Sequence, residues 1–216
     1  VYKRQSYTIT EEDMTDLSAE LPEDYAELAK LDRLGFTSVK EKLAERFHMD
    51  EDFLTELNPE AQFTAGETIF VADPGTDQQA EVASLVADKS QARLLAYDAS
   101  QTLIAIYPVT IGSSSTPSPS GTHSVTAVAI DPTYSYNPKN FVQGDNTEPL
   151  TLPPGPNGPV GNVWIDLSEP TYGIHGTPAP SKIDKTSSHG CVRMTNWDAN
   201  ELAHMVSQGV TVEFRD

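Results

Sequence analysis

Thirteen of the chain's 16 prolines lie after Gly75. Proline lacks a backbone N–H and its ring clashes with the preceding helical turn. The segment after Gly75 therefore reads as strands and loops, and helices are expected mainly before it. Charge divides at the same place. Residues 1–75 hold 18 acidic and 7 basic side chains, a net of -11, and the remainder a net of -7. Between the halves, Asp73-Pro74-Gly75-Thr76-Asp77-Gln78-Gln79 is a turn signal followed by polar residues. The 216 residues are thus expected to form two units, 1–75 and 80–216, joined by a short linker.

Hydrophobic residues make up 38% of the chain, enough for a core. No run approaches the ~18 apolar residues of a membrane span. The formal charge of -18 argues against nucleic acid as a partner, because phosphate contacts need clustered Lys and Arg. The single cysteine, Cys191, can form neither an internal disulfide nor a cysteine-based zinc cage. It is either an inert thiol or a nucleophile, and its neighbours must decide. The opening Val1-Tyr2-Lys3-Arg4-Gln5 lacks an initiator Met and a signal peptide. It reads as an interior point of a longer product whose export signal lies outside this chain.

In the first unit, Val39, Leu43 and Phe47 recur at helical spacing, with Thr37 or Ser38 and Glu41 as a capped start. Asp50-Glu51-Asp52 opens a second helix that Asn58-Pro59 stops. Tyr7–Thr10 and Thr68–Val71 are strand candidates, so the order is strand, helix, helix, strand, with residues 11–35 inserted. In the second unit, Val82–Ala87, Ala92–Tyr97, Leu103–Ile111, His123–Ile130, Val163–Leu167 and Val210–Phe214 read as strands. Thr195, with Asp198 three places on, caps one helix running to about Ser207. Residues 131–161, crowded with Pro, Gly and Asn, are expected as a long loop and a candidate lid. The expected fold is a mainly β domain, a β-sandwich or partly open barrel with one helix near its C-terminal end, preceded by a small α+β domain.

Leu43-Ala44-Glu45-Arg46-Phe47, Leu54, Leu57-Asn58-Pro59 and Ala65-Gly66-Glu67-Thr68-Ile69-Phe70-Val71 resemble the second half of a LysM-type module. The resemblance implies binding to the N-acetylglucosamine-containing glycan of cell walls. The insertion after the first strand departs from that module, since the loop there normally helps form the sugar groove.

A thiol with pKa ~8.5 is only a few per cent ionised near neutral pH, so a nucleophilic cysteine needs a base or a cation beside it. Two histidines, His175 and His189, lie close to Cys191 in sequence. Gly190 lets the backbone turn sharply before the thiol. Arg193, two residues on, shares a face with Cys191 in an extended segment. Singly these signals are weak; their order is not. His175-Gly176 followed by Ser188-His189-Gly190-Cys191-Val192-Arg193-Met194 resembles the L,D-transpeptidase catalytic domain of the YkuD type. Further segments fall in family order: Tyr107-Pro108-Val109, Thr116–Thr122, Leu152–Pro156, Gly161–Ile165 and Gly209–Val212.

The resemblance implies that Cys191 attacks a peptidoglycan tetrapeptide stem. His175 serves as general base, oriented by the backbone carbonyl of Gly176. Tyr172, Ser188, His189, Gly190 and Arg193 line the substrate site. An amine acceptor resolves the resulting thioester; water in its place would give L,D-carboxypeptidase activity. Asp166 and Asp184 remain open as a third catalytic member. No cofactor or metal is expected. Stem peptides and glycan are the expected partners and the cell envelope the expected location. Two other readings stand beside this one: a catalytically silent wall-binding protein, and a zinc site of His175, His189 and Cys191.

Overall fold

The computed structural model describes residues 3–112, 116–186, 188 and 190–216. The chain forms two compact units, one of residues 1–76 with 133–155, the other of 77–132 with 156–216.

In the first unit, strand β1 (Lys3–Thr8) pairs antiparallel with β2 (Thr68–Asp73), Thr8 opposite Thr68. Between them lie a 3-10 turn at Glu12–Met14, a short helix α1 (Tyr25–Leu28) and helices α2 (Val39–Arg46) and α3 (Glu51–Leu57). Ser38 caps α2 by accepting from the Glu41 N–H, and Glu41 reaches back to the N–H of Thr37 at 2.7 Å, a reciprocal capping box. Asp50 caps α3 by accepting from the N–H groups of Asp52 and Phe53. Asn58 ends α3 and ties it to β2, exchanging hydrogen bonds of 2.8 and 2.7 Å with the Phe70 carbonyl and N–H. Ile9, Leu43, Phe47, Leu54, Ile69 and Val71 form the core.

The segment expected as a loop carries two strands, β8 (Tyr134–Tyr136) and β9 (Leu150–Leu152), paired antiparallel. Residues 133–155 belong to the first unit, not to the proline-rich one. Apolar burial explains the difference. Tyr136 and Leu152 form a second small core with Leu28 and Leu34 from the inserted segment. The Tyr25 ring meets those of Tyr134, Tyr136 and Phe141 edge-on at 5.3–6.4 Å. The Gln143 side chain accepts from the Tyr25 N–H and donates to the Glu23 carbonyl. Gly155, at φ +146, lies against the Leu34 backbone where a Cβ has no room.

The second unit is built on one nine-stranded sheet, ordered β5-β4-β3-β13-β7-β10-β11-β12-β6. Its strands are β3 (Ser84–Asp88), β4 (Arg93–Tyr97), β5 (Leu103–Pro108), β6 (Thr110–Ile111), β7 (Gly121–Ile130), β10 (Val163–Leu167), β11 (Gly173–His175), β12 (Val192–Arg193) and β13 (Thr211–Arg215). The apolar run Leu103–Ile111 is divided at buried Val109: β5 forms one edge of the sheet and β6 the other. One residue joins them, so the sheet must curl until its edges nearly meet. It is a nearly closed barrel rather than two stacked sheets. Helix α4 (Asn196–Met205) packs across β7, β10 and β11 and contributes Ala199, Leu202, Ala203 and Met205 to the core. Among the described residues no helix is long and apolar enough to cross a membrane.

Thr195 caps α4 by accepting from the Asp198 N–H at 3.3 Å. Burial pushes the Asp198 carboxyl up to about 6. In the folded chain it keeps its proton between the usual carboxylate value and about 6, and above that it ionises at a cost. Its contribution to stability is therefore present at low pH and lost as pH rises through about 6. Asp198→Asn removes that cost. It is expected to stabilise the fold by roughly 1–2 kcal/mol at pH 8, after loss of the favourable acid at a helix start, and to leave stability unchanged at pH 4. Denaturant unfolding at the two pH values measures the difference.

Candidate active site

Strands β11 and β12 run parallel next to the edge strand β6 of the second unit's sheet, with Ile174 opposite Val192 and His175 opposite Arg193. Continuing that register one step back sets Cys191 across from Gly173. Paired residues share a face, and so do residues two apart along a strand. His175, Arg193 and Cys191 therefore lie on one face. Diagonal neighbours of this kind are about 7–8 Å apart at the backbone, within reach of a long or aromatic side chain.

His175 is buried, with 5% of its surface exposed. Its Nδ1 lies 2.6 Å from the Gly176 carbonyl oxygen. A carbonyl can only accept, so Nδ1 carries the proton and Nε2 keeps its lone pair. Burial and, secondarily, the Arg193 cation outweigh that bond and lower the imidazole pKa to about 4. At neutral pH it is uncharged and able to take a proton. The Trp164 indole stacks on it, with centroids 5.6 Å apart and planes 23° apart. Asp166 fixes that indole by accepting from its Nε1 at 3.1 Å, and accepts from the Thr126 hydroxyl at 2.6 Å. The indole also lies on Gly173, where a Cβ would meet Cζ2 at 2.5 Å.

Cys191 is half-buried and unbonded to other sulfur. Burial pushes its thiol pKa up, against the opposing pulls of a Gly173 backbone hydrogen bond and the Arg193 charge. Its Sγ lies 3.8 Å from the Thr171 carbonyl oxygen. Thr171 has φ +71, costly for a β-branched residue, so the backbone is strained beside the thiol.

The turn before the thiol is tied down by one hydroxyl. Ser188 Oγ donates to the Cys191 carbonyl at 2.6 Å and accepts from the N–H groups of Gly112, at 2.7 Å, and Gly190, at 3.2 Å. That uses one donor and two acceptor positions, its whole capacity. Ser118 Oγ donates to the Gly190 carbonyl at 2.7 Å and Thr116 Oγ1 to the Ser188 carbonyl at 2.8 Å. Gly190, at φ +109, packs under the Tyr172 ring.

Of the residues singled out from sequence, His175, Gly176, Tyr172, Ser188, Gly190, Cys191 and Arg193 converge here. His189 lies outside the described residues. Ser188 is buried and spends its hydroxyl on the backbone. Asp166 supports Trp164, and the Asp184 N–H donates to the Thr110 hydroxyl at 3.0 Å; the Nδ1 partner of His175 is the Gly176 carbonyl. Trp164, which motif order did not single out, stacks on His175. Asn196 was also missed. The one hint was a poor helix former placed directly after a cap.

The model of the L,D-transpeptidase catalytic domain, YkuD, matches residues 83–213. The chain belongs to that family. Family members act on peptidoglycan and are acyl-transferring enzymes. The chain is 31% identical over 80% of its length, and 90% of the other's, to the protein of Bacillus licheniformis designated L,D-transpeptidase YkuD. It is 30% identical over 79% of its length to the Bacillus subtilis protein of that designation, 89% of which is covered. The fold resembles the crystal structure of L,D-transpeptidase 3 from Mycobacterium tuberculosis in complex with a faropenem-derived adduct. There the TM-score is 0.51 and the identity 15%, over 70% of this chain and 75% of that one.

Proposed function

We propose that the protein is a peptidoglycan L,D-transpeptidase that forms a thioester between Cys191 and a tetrapeptide stem. The observation that carries the reading is the 2.6 Å contact of His175 Nδ1 with the Gly176 carbonyl, which leaves a neutral nitrogen base on the strand face that holds the thiol. The thiol is pushed up and the imidazole down, so the resting pair is neutral. Cys191 gives its proton to His175 Nε2 as sulfur attacks the amide carbonyl before the terminal D-residue. The backbone N–H of Cys191 holds the oxyanion. The C–N bond breaks, the imidazolium returns its proton to the departing amine, and the stem remains as a thioester. An acceptor amine repeats these steps in reverse order and restores the thiol. Water in its place gives L,D-carboxypeptidase activity.

Arg193 and Tyr172 hold the stem peptide, Arg193 by pairing with a carboxylate. Ser188 and Gly190 shape the nucleophile turn. The first unit serves as a LysM-like glycan-binding module, a reading supported by helices α2 and α3 leading into β2, which pairs with β1. Peptidoglycan as the substrate supports a location in the cell envelope.

Intact-protein mass spectrometry after incubation with a disaccharide-tetrapeptide tests the chemistry. The expected result is an adduct equal to the donor less its terminal D-residue, mapped to the Cys191 peptide, and its discharge by an added diamino acid. Glycan pull-down without any adduct favours the silent wall-binding protein instead.

A further inference from the structure

The geometry points to Asn196 as a positioning residue that sets the tautomer of His175 through the peptide bond between Gly176 and Thr177. That peptide is engaged at both ends. Its carbonyl accepts from His175 Nδ1 at 2.6 Å, and its N–H donates to Asn196 Oδ1 at 3.1 Å. The same Oδ1 accepts from the Asn162 N–H at 3.3 Å, while Nδ2 donates to the Pro156 carbonyl at 3.1 Å. Asn196 is 1% exposed. Being the first residue of α4, it is carried on a rigid element.

Two glycines make room for this amide. A Cβ at Gly161 or at Gly176 would collide with Asn196 Oδ1. Gly161 has φ +61 and its N–H donates to the Gly158 carbonyl at 2.9 Å, so the 156–162 segment is folded around the amide. A peptide N–H engaged by a good acceptor makes its own carbonyl a stronger acceptor, because hydrogen bonds in series polarise one another. Asn196 thereby holds the Gly176 carbonyl toward Nδ1 and strengthens that bond. If the peptide turns away, the imidazole proton can move to Nε2. The thiol then faces a donor where a base is needed. This role rests on the reading of His175 as the base for Cys191.

The test uses the full chain, labelled with 15N in its histidine rings, at pH 7 without substrate. The parent chain is expected to show His175 protonated at Nδ1. Asn196→Ala, and Asn196→Ser should the Ala chain fail to fold, are expected to shift His175 toward the Nε2-protonated form. With the disaccharide-tetrapeptide as donor, they are expected to lower kcat for acylation about tenfold to a hundredfold at nearly constant KM. Asn196→Asp keeps the acceptor on the Thr177 N–H and is expected to keep the Nδ1 proton. A parent chain protonated at Nε2, or a folded Ala or Ser variant that is less stable yet still fully Nδ1-protonated, overturns the role. The nitrogen signals are read without turnover, so this failure is separable from failure of the thioester reading, which an unacylated parent chain would reveal.

Discussion

Cys191→Ala will carry no adduct with any stem peptide, and His175→Gln will be acylated about a thousandfold more slowly than the parent chain. Removing the sulfur removes the atom that forms the bond, so no residual rate survives at that position. Removing the imidazole leaves a thiol whose pKa burial has pushed up, without the base that the Gly176 carbonyl orients. General-base catalysis contributes typically 10²–10⁴-fold, which sets the scale. The pH dependence follows from the same pair. His175 is a base only when unprotonated, and its pKa lies at about 4. The acylation rate is expected to be level through neutral pH and to fall below about pH 4, well under the ordinary histidine range. Single-turnover acylation followed by mass spectrometry measures all three quantities. A parent-like rate in His175→Gln would falsify the assignment of the base.

Gly190→Ala will damage the site more than its single methyl suggests. At φ +109 any L side chain is strained, and the Cβ would press on the Tyr172 ring and stand 3.1 Å from the Pro117 carbonyl oxygen. Strain of this kind costs about 1–3 kcal/mol and overpacking a similar amount. Some of the load will move the turn instead, and misplacing a reacting atom by about 1 Å can cost a hundredfold in rate. Gly209 supplies the comparison. Its φ is +96, but nothing lies within 4 Å of the site of a Cβ. Gly209→Ala is expected to show the backbone cost alone and full acylation activity. The difference between the two variants, in unfolding free energy and in rate, isolates the crowding beneath Tyr172. Equal behaviour of the two would show that the nucleophile turn tolerates displacement.

Much of this architecture was legible in residue order. Caps at Ser38, Asp50 and Thr195 are local devices, each needing only two or three residues, and they appear at or next to the positions read from sequence. The strand Val163–Leu167 alternates cleanly because one face is buried. What stayed hidden was non-local. Val109 sits within a single apolar run, and only the pairing of its neighbours with β4 and β12 reveals that it divides two edge strands. Pro and Gly density made residues 131–161 read as a loop, because the partners of Tyr136 and Leu152 lie more than a hundred residues earlier. At the site, the Cys191 and His175 segment was readable from motif order. Asn196 and Trp164 were not, since each acts on His175 from a different strand or helix, and nothing in sequence spacing records that approach.

The second small core has a consequence for how such a chain can be altered by insertion and deletion. Leu28 and Leu34 come from the segment between the first strand and α2, and Tyr136 and Leu152 from the proline-rich stretch. Neither segment can bury these residues without the other. Deleting 11–35 alone uncovers two aromatic-rich strands, and deleting 133–155 alone uncovers α1. The two segments form a single heritable unit written in two places, so relatives that carry this core should carry both.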